Sequence, residues 1–156
     1  MKTLLISLVL VGATAFAAHA ETFTGSATST ITSSNVFAAS AGKPVVENNI
    51  NFAGQTIWAS GKTTANKGTC ANWTTPPGSI FDANGVCNYT DANGDAASIL
   101  IGCDFAGKDM SQGNCWGGLL GTAGPHAGKS GTISWHFRAA ADGKSGESKS
   151  VGQWND

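Results

Sequence analysis

Hydrophobic and polar residues alternate along this chain in short runs, and no long stretch repeats at helical spacing. The clearest example is 132–138 (TISWHFR), where apolar and polar side chains alternate strictly, as they do in a strand with two different faces. Glycine interrupts nearly every window after Ala20, and only 26–41 is a long stretch without one. Because an interior helical glycine costs about 1 kcal/mol relative to alanine, the pattern predicts strands rather than helices.

The runs between turn residues predict the strands of the domain. They are 23–31, 35–39, 44–52, 55–60, 69–73, 86–90, 97–105, 115–120, 132–138 and 151–154. Turns are predicted at Ala53-Gly54 and at the two copies of Asp-Ala-Asn-Gly, 82–85 and 91–94, since Asn-Gly favours a type I′ hairpin turn. About eight to ten strands without covering helices must pair antiparallel, and closure removes exposed edges. The predicted fold is all-β, a closed antiparallel barrel of about eight strands.

The first 20 residues have the pattern of a secretory signal peptide. Lys2 supplies a positive charge, 4–18 is almost wholly apolar, and Ala18-His19-Ala20 has the small-x-small form of a cleavage site. The apolar run is too short for a membrane span. We therefore expect a signal peptide over 1–20, a single barrel domain over 21–156, and a secreted or periplasmic protein.

Composition narrows the functional classes. Glycine, serine, threonine and asparagine make up 59 of the 136 residues after Ala20, and leucine occurs there only at positions 100, 119 and 120. The same segment holds 8 basic and 10 acidic residues. These counts argue against helical bundles, coiled coils and nucleic-acid binding.

Four cysteines follow the predicted leader: Cys70, Cys87, Cys103 and Cys115. An even number in an exported chain predicts two disulfides. The gaps of 17, 16 and 12 residues do not fit zinc-ligand spacing, so no metal site is expected. No cofactor is expected either. A two-residue turn at Asn93-Gly94 would place Cys87 opposite Leu100 rather than Cys103. Sequential pairing, first with second and third with fourth, is therefore favoured, and each bond would contribute about 3 kcal/mol.

Titratable side chains in the predicted strands are scarce, and they are the candidates for proton transfer. Glu47 is the only glutamate inside the predicted sheet, and it would serve as a general acid or base if buried, or lie at the surface. His136 and Arg138 share the polar face of 132–138. If that face points inward, the pair forms a cationic patch in the cavity, and if the aromatic face does, the pair is solvated outside. The predicted catalytic residues are these three.

Tryptophan is abundant and suits both a core and a pocket for a flat apolar molecule. The predicted ligand-binding residues are Trp58, Asp104, Trp116, His126 and Trp135. His126 lies in the glycine-rich segment 123–130, which fits a relaxed phosphate-loop pattern. That pattern requires a following helix, whereas the next residues predict a strand, so nucleotide binding is not expected.

Two segments carry a resemblance to a known family: 88–95 (NYTDANGD), and Trp116-Gly117-Gly118 together with 124–132 (GPHAGKSGT). Over roughly Gly68 to Phe137 the sequence resembles bacterial exported relatives of the allene oxide cyclase and dirigent barrels. The resemblance implies an eight-stranded antiparallel barrel, often trimeric or dimeric, with a cavity for a hydrophobic small molecule. The pocket carboxylates of the plant enzymes have no counterparts that can be placed in this sequence.

Three functions from different classes follow from these features. The barrel binds a small hydrophobic molecule and guides its cyclisation or isomerisation as a cofactor-free isomerase, cyclase or lyase, or it is a lipocalin-like binding module without turnover. Alternatively it is a structural or surface-interaction protein. The first two differ in whether a titratable group faces the cavity, and the third predicts no cavity. The expected partner is a small hydrophobic ligand, and a homo-oligomer is left open. Neither nucleic-acid binding nor a membrane span is expected.

Overall fold

The computed structural model describes residues 20–37, 44–106 and 111–155, which form eight β-strands and one short helical turn. The strands are β1 (Glu21–Phe37), β2 (Val45–Trp58), β3 (Thr63–Thr74), β4 (Ala83–Asp91), β5 (Ala96–Ala106), β6 (Gln112–Ala123), β7 (Ser130–Ala139) and β8 (Ser145–Trp154). A 3-10 turn, Gly124–His126, connects β6 to β7. The predicted leader lies outside the described residues apart from Ala20, and so stays a prediction.

The eight strands form one closed barrel in sequence order. Each strand pairs antiparallel with the next, and β1 closes the barrel by pairing with β8. The closed antiparallel barrel predicted from the sequence is therefore confirmed. In the described ranges, no helix is long and apolar enough to cross a membrane.

Two glycines predicted to form turns lie inside strands instead. A Cβ on Gly54 would collide with the carbonyl oxygen of Ser26 on β1, and a Cβ on Gly85 would crowd the carbonyl oxygen of Ala71 on β3. Glycine in a strand interior permits such a close backbone approach. The turn predictions at 53–54 and 82–85 were therefore wrong, and β2 and β4 run through these positions without a break. β1 is likewise continuous, with a register shift between Ile31 and Ser33.

The connection between β4 and β5 is a turn, as predicted, but of another type. The Asp91 carboxylate accepts hydrogen bonds from the backbone N–H groups of Asn93 at 2.7 Å and Asp95 at 3.0 Å. Gly94 has a φ of +82°, and the backbone N–H of Asp91 donates a hydrogen bond to the carbonyl of Asp95 at 2.9 Å. Three residues, 92–94, therefore lie between this pair, whereas a type I′ hairpin has two loop residues, so this is a three-residue loop that ends in a left-handed glycine.

Two disulfides link neighbouring strands: Cys70–Cys87 and Cys103–Cys115. Each pair lies directly opposite in the strand register, with Cα atoms 4.0 Å apart. The longer β4–β5 loop places Cys87 opposite Ile99 rather than the predicted Leu100. Because that one-residue difference still keeps Cys87 away from Cys103, the predicted sequential pairing is confirmed.

The hydrophobic core lies inside the barrel, on one face of every strand. Its buried members are Trp58, Ala83, Cys87, Ala97, Ile99, Ile101, Cys103, Cys115, Leu119 and Trp154. Phe105 and Phe137 add an edge-to-face ring contact with centroids 6.0 Å apart. The large apolar side chains of this core point inward because burying apolar area is the main favourable contribution to folding.

Candidate functional site

The barrel interior contains a cavity of about 700 Å³. This volume lies within the range of about 300–1,000 Å³ typical of small-molecule sites. Strands from the whole circumference contribute to its wall. The aromatic side chains that line it are Phe23, Phe52, Trp58, Tyr89, Phe105, Trp135, Phe137 and Trp154.

The wall of the cavity is uncharged over most of its length. Among the described residues that line it, only Arg138 and Lys144 carry charges. Both lie at the end of the barrel formed by 75–82 and 140–145, which we call the rim. A molecule inside the barrel therefore meets apolar groups and neutral polar groups below the rim.

The opposite end of the cavity is closed by three stacked rings, which we call the floor. His126 lies between Trp58, at a ring-centroid distance of 5.3 Å, and Trp154, at 4.5 Å, with both interplanar angles close to parallel. The Trp58 indole N–H donates a hydrogen bond to the Thr64 hydroxyl at 2.9 Å. The 3-10 turn positions His126 because its chain folds back under the barrel between β6 and β7.

Both ring nitrogens of His126 face carboxylate oxygens. Nδ1 lies 2.6 Å from Asp95 Oδ2, and Nε2 lies 3.0 Å from Glu21 Oε2. A carboxylate only accepts hydrogen bonds, so an imidazolium with two N–H groups satisfies both partners. The side chains of His126 and Asp95 are 6% and 4% exposed, whereas that of Glu21 is 47% exposed. The floor thus contains a buried ion pair with one additional partner at the surface.

A second polar group lies on the cavity wall near the floor. The Asn66 amide donates a hydrogen bond to the Thr56 hydroxyl at 2.9 Å, and Thr56 also hydrogen-bonds the Tyr89 phenol. All three side chains line the cavity. The sequence analysis did not select Tyr89, although its position two residues after Cys87 indicates that it shares the inward face of β4.

Burial raises the pKa of Tyr89 to about 12, with smaller contributions from the negative charges of Asp91 and Asp95. The hydrogen bond from Thr56 acts in the opposite direction and lowers the pKa. The phenol therefore stays protonated across the physiological range and can donate a hydrogen bond.

The titration of Tyr89 can be observed directly because it is the only tyrosine of the chain. We expect tyrosinate absorbance to appear with a midpoint near pH 12 in the native protein and near pH 10 in denaturant. Because the folded phenol holds its proton to higher pH than the unfolded one, the neutral phenol contributes to the free energy of unfolding. That contribution is complete below pH 10 and is lost as the pH rises towards 12. A native midpoint near 10 would show that the phenol is solvated.

The predicted catalytic residues do not meet inside the cavity. Glu47 lies on the outer face of β2, where a carboxylate oxygen accepts a hydrogen bond from the Asn35 amide at 3.3 Å. His136 lies on the outer face of β7 with Nδ1 3.0 Å from Asn114 Oδ1, and Arg138 reaches the rim from that face. Of the two alternatives for β7, the structure has the aromatic face inside, because the aromatic side chains bury more apolar area.

The five predicted ligand-binding residues divide between the two sides of the wall. Trp58 and Trp135 line the cavity, as expected. Asp104 points outward from β5, and Trp116 is 45% exposed on the outside of β6, where it packs against Phe81. His126 is stacked between the two tryptophans of the floor and does not line the cavity. Asp104, Trp116 and His126 therefore do not line this cavity, and their assignment as ligand-binding residues stays a prediction.

Metal ligands do not cluster in this part of the molecule. Across 20–37, 44–106 and 111–155, no group of three or more histidine, cysteine, aspartate or glutamate side chains is placed to hold a metal ion.

Comparison of the chain with protein-family models, with curated proteins and with solved structures found no match.

Proposed function

We propose that the barrel binds a small hydrophobic molecule in its interior. The observation that carries the proposal is the cavity of about 700 Å³, whose wall is formed largely by aromatic and aliphatic side chains. A protein that acts only through its outer surface would not need such a space. The resemblance to allene oxide cyclase and dirigent barrels adds support, since it implies the same architecture with an apolar cavity.

Binding without turnover accounts for the described cavity wall better than acid–base catalysis does. No described carboxylate or imidazole lines the wall, and its one phenol, Tyr89, keeps its proton up to about pH 12. General acid–base catalysis works best with a group whose pKa lies near the working pH. These features support a lipocalin-like module over an isomerase or cyclase that uses Glu47 or His136.

A secreted or periplasmic location fits the same proposal. Two intramolecular disulfides join adjacent strands, and the described cysteines are all paired. Such bonds form and persist in oxidising compartments. We therefore place ligand capture outside the cytoplasm.

The proposal is tested by filling the cavity. Ala27 lines the cavity from β1, and its neighbour Thr28 is exposed on the outer face. We expect Ala27→Phe to weaken binding of the neutral fluorescent dye N-phenylnaphthylamine at least tenfold, about 1.4 kcal/mol, because the new ring occupies space that the dye needs. Thr28→Phe is the matched control, since it adds a similar ring on the opposite face of the same strand. Dye fluorescence and energy transfer from tryptophan measure the binding.

Two results would contradict the proposal. The first is a dye that does not bind the unmodified protein at all. The second is equal weakening by Ala27→Phe and Thr28→Phe, which would locate the dye on the outer surface. Circular dichroism and urea unfolding of both variants check that the barrel is retained.

A further inference from the structure

Neutral polar side chains lie at several places on the cavity wall, and one group of them, Tyr89, Thr56 and Asn66, lies close to the floor. The hydrogen bonds of this group have a direction. The Thr56 hydroxyl has a single proton, and it already accepts a hydrogen bond from the Asn66 amide. It can therefore donate its own proton to the phenolic oxygen of Tyr89. This arrangement leaves the phenolic proton of Tyr89 available to a bound molecule.

Among the described residues, no charged side chain lines the cavity below the rim, so a charged ligand would meet no opposite charge there. An ion buried without a partner has a large desolvation cost, so a charged group is excluded from the depth of the cavity.

The cations at the rim also have acidic neighbours. Arg138 lies opposite Glu147 in the strand register. Asp142 accepts hydrogen bonds from the backbone N–H groups of Lys144 and Ser145, which hold the pKa of its carboxyl below the usual value. The described part of the rim is therefore balanced in charge and does not favour an anionic head group.

We propose that the molecule held in the cavity is uncharged and mostly apolar, and that its one hydroxyl or carbonyl oxygen accepts a hydrogen bond from Tyr89. The inference rests on the proposed function and specifies its ligand class. An alkane of the same size would leave the phenol unpaired. A fatty acid would either bury its carboxylate or direct its hydrocarbon end at the polar cluster of Tyr89, Thr56 and Asn66.

The test is displacement of N-phenylnaphthylamine by four compounds with equal carbon number: octane, octanol, methyl hexyl ketone and octanoate. We expect the alcohol and the ketone to bind about tenfold more tightly than the alkane, the effect of one net hydrogen bond. Octanoate should bind no better than octane. Tyr89→Phe removes only the hydroxyl and should abolish the preference, so that octanol and the ketone bind no more tightly than octane, and Thr56→Val should reduce the preference partly.

The possible results separate the two proposals. If the dye does not bind, or binds and none of the four compounds displaces it, the proposed function fails. If octane competes as well as octanol, or if Tyr89→Phe weakens all four compounds equally, the cavity binds apolar molecules and the assignment to Tyr89 is overturned. Tightest binding by octanoate would overturn the assignment in favour of an anionic amphiphile with its head at the rim.

Discussion

Reduction of both disulfides is expected to lower the free energy of unfolding by about 6 kcal/mol, roughly 3 kcal/mol for each bond. The bonds close segments with sequence separations of 17 and 12 residues. Because small globular proteins are stable by only about 5–15 kcal/mol, the reduced barrel should lie close to its unfolding transition. Urea unfolding at one temperature, with and without a thiol reductant, measures the difference.

Paired alanine variants separate the two bonds. Cys103 and Cys115 are 4% and 2% exposed, whereas Cys70 is only partly buried. Replacing Cys103 and Cys115 together should therefore cost more than replacing Cys70 and Cys87, since more sulfur packing is lost. A variant that lacks both bonds should not respond to reductant. A shift on reduction below about 1 kcal/mol would show that neither bond restricts the unfolded chain as the loop model requires.

The barrel and its disulfides were predictable because their signals are local. Strict alternation in 132–138 identifies β7, and glycine at short intervals excludes helices. Once neighbouring strands pair as hairpins, the positions of the cysteines follow from the turn lengths. An error of one residue in the β4–β5 loop moved the partner of Cys87 by one position and still left the sequential pairing correct.

Turn assignment was less predictable because identical local sequences take different conformations. Asp-Ala-Asn-Gly forms the β4–β5 connection at 91–94, whereas at 82–85 its last three residues begin β4. There Asn84 and Gly85 pair with Trp73 and Asn72 on β3. Long-range pairing decided between the two conformations, and a short window of sequence does not contain that information.

The candidate site was predicted only in part, because the choice of residues did not take account of which strand positions point into the barrel. Scarcity selects Glu47 and His136 as the titratable groups of the sheet, but both fall on outward positions. Tyr89 is inward and neutral, so a search for charged groups passes over it. Glu21 lies at the start of the domain, and only the pairing of β1 with β8 brings it to His126.

Removal of the His126 imidazole is expected to destabilise the barrel by about 3–5 kcal/mol, the usual cost of breaking a buried ion pair. His126→Phe keeps an aromatic ring between Trp58 and Trp154 but leaves Asp95 Oδ2 buried without its imidazole partner, while Asp95 Oδ1 keeps the backbone N–H of residue 126. Glu21→Gln should cost at most about 1 kcal/mol, since the Glu21 side chain is 47% exposed and its charge is screened by water. Urea unfolding of the two variants measures both effects.

Asp95→Asn provides the control for this interpretation, because it removes the buried charge itself. Combined with His126→Phe, it should recover part of the lost stability, so the double variant should be more stable than the sum of the single effects predicts. Strictly additive losses would show that the contribution of His126 does not depend on its pairing with Asp95. Equal losses for His126→Phe and Glu21→Gln would contradict the burial argument, since the two carboxylates differ about tenfold in exposure. We therefore expect the stability of the floor to depend on Asp95, whose side chain is only 4% exposed.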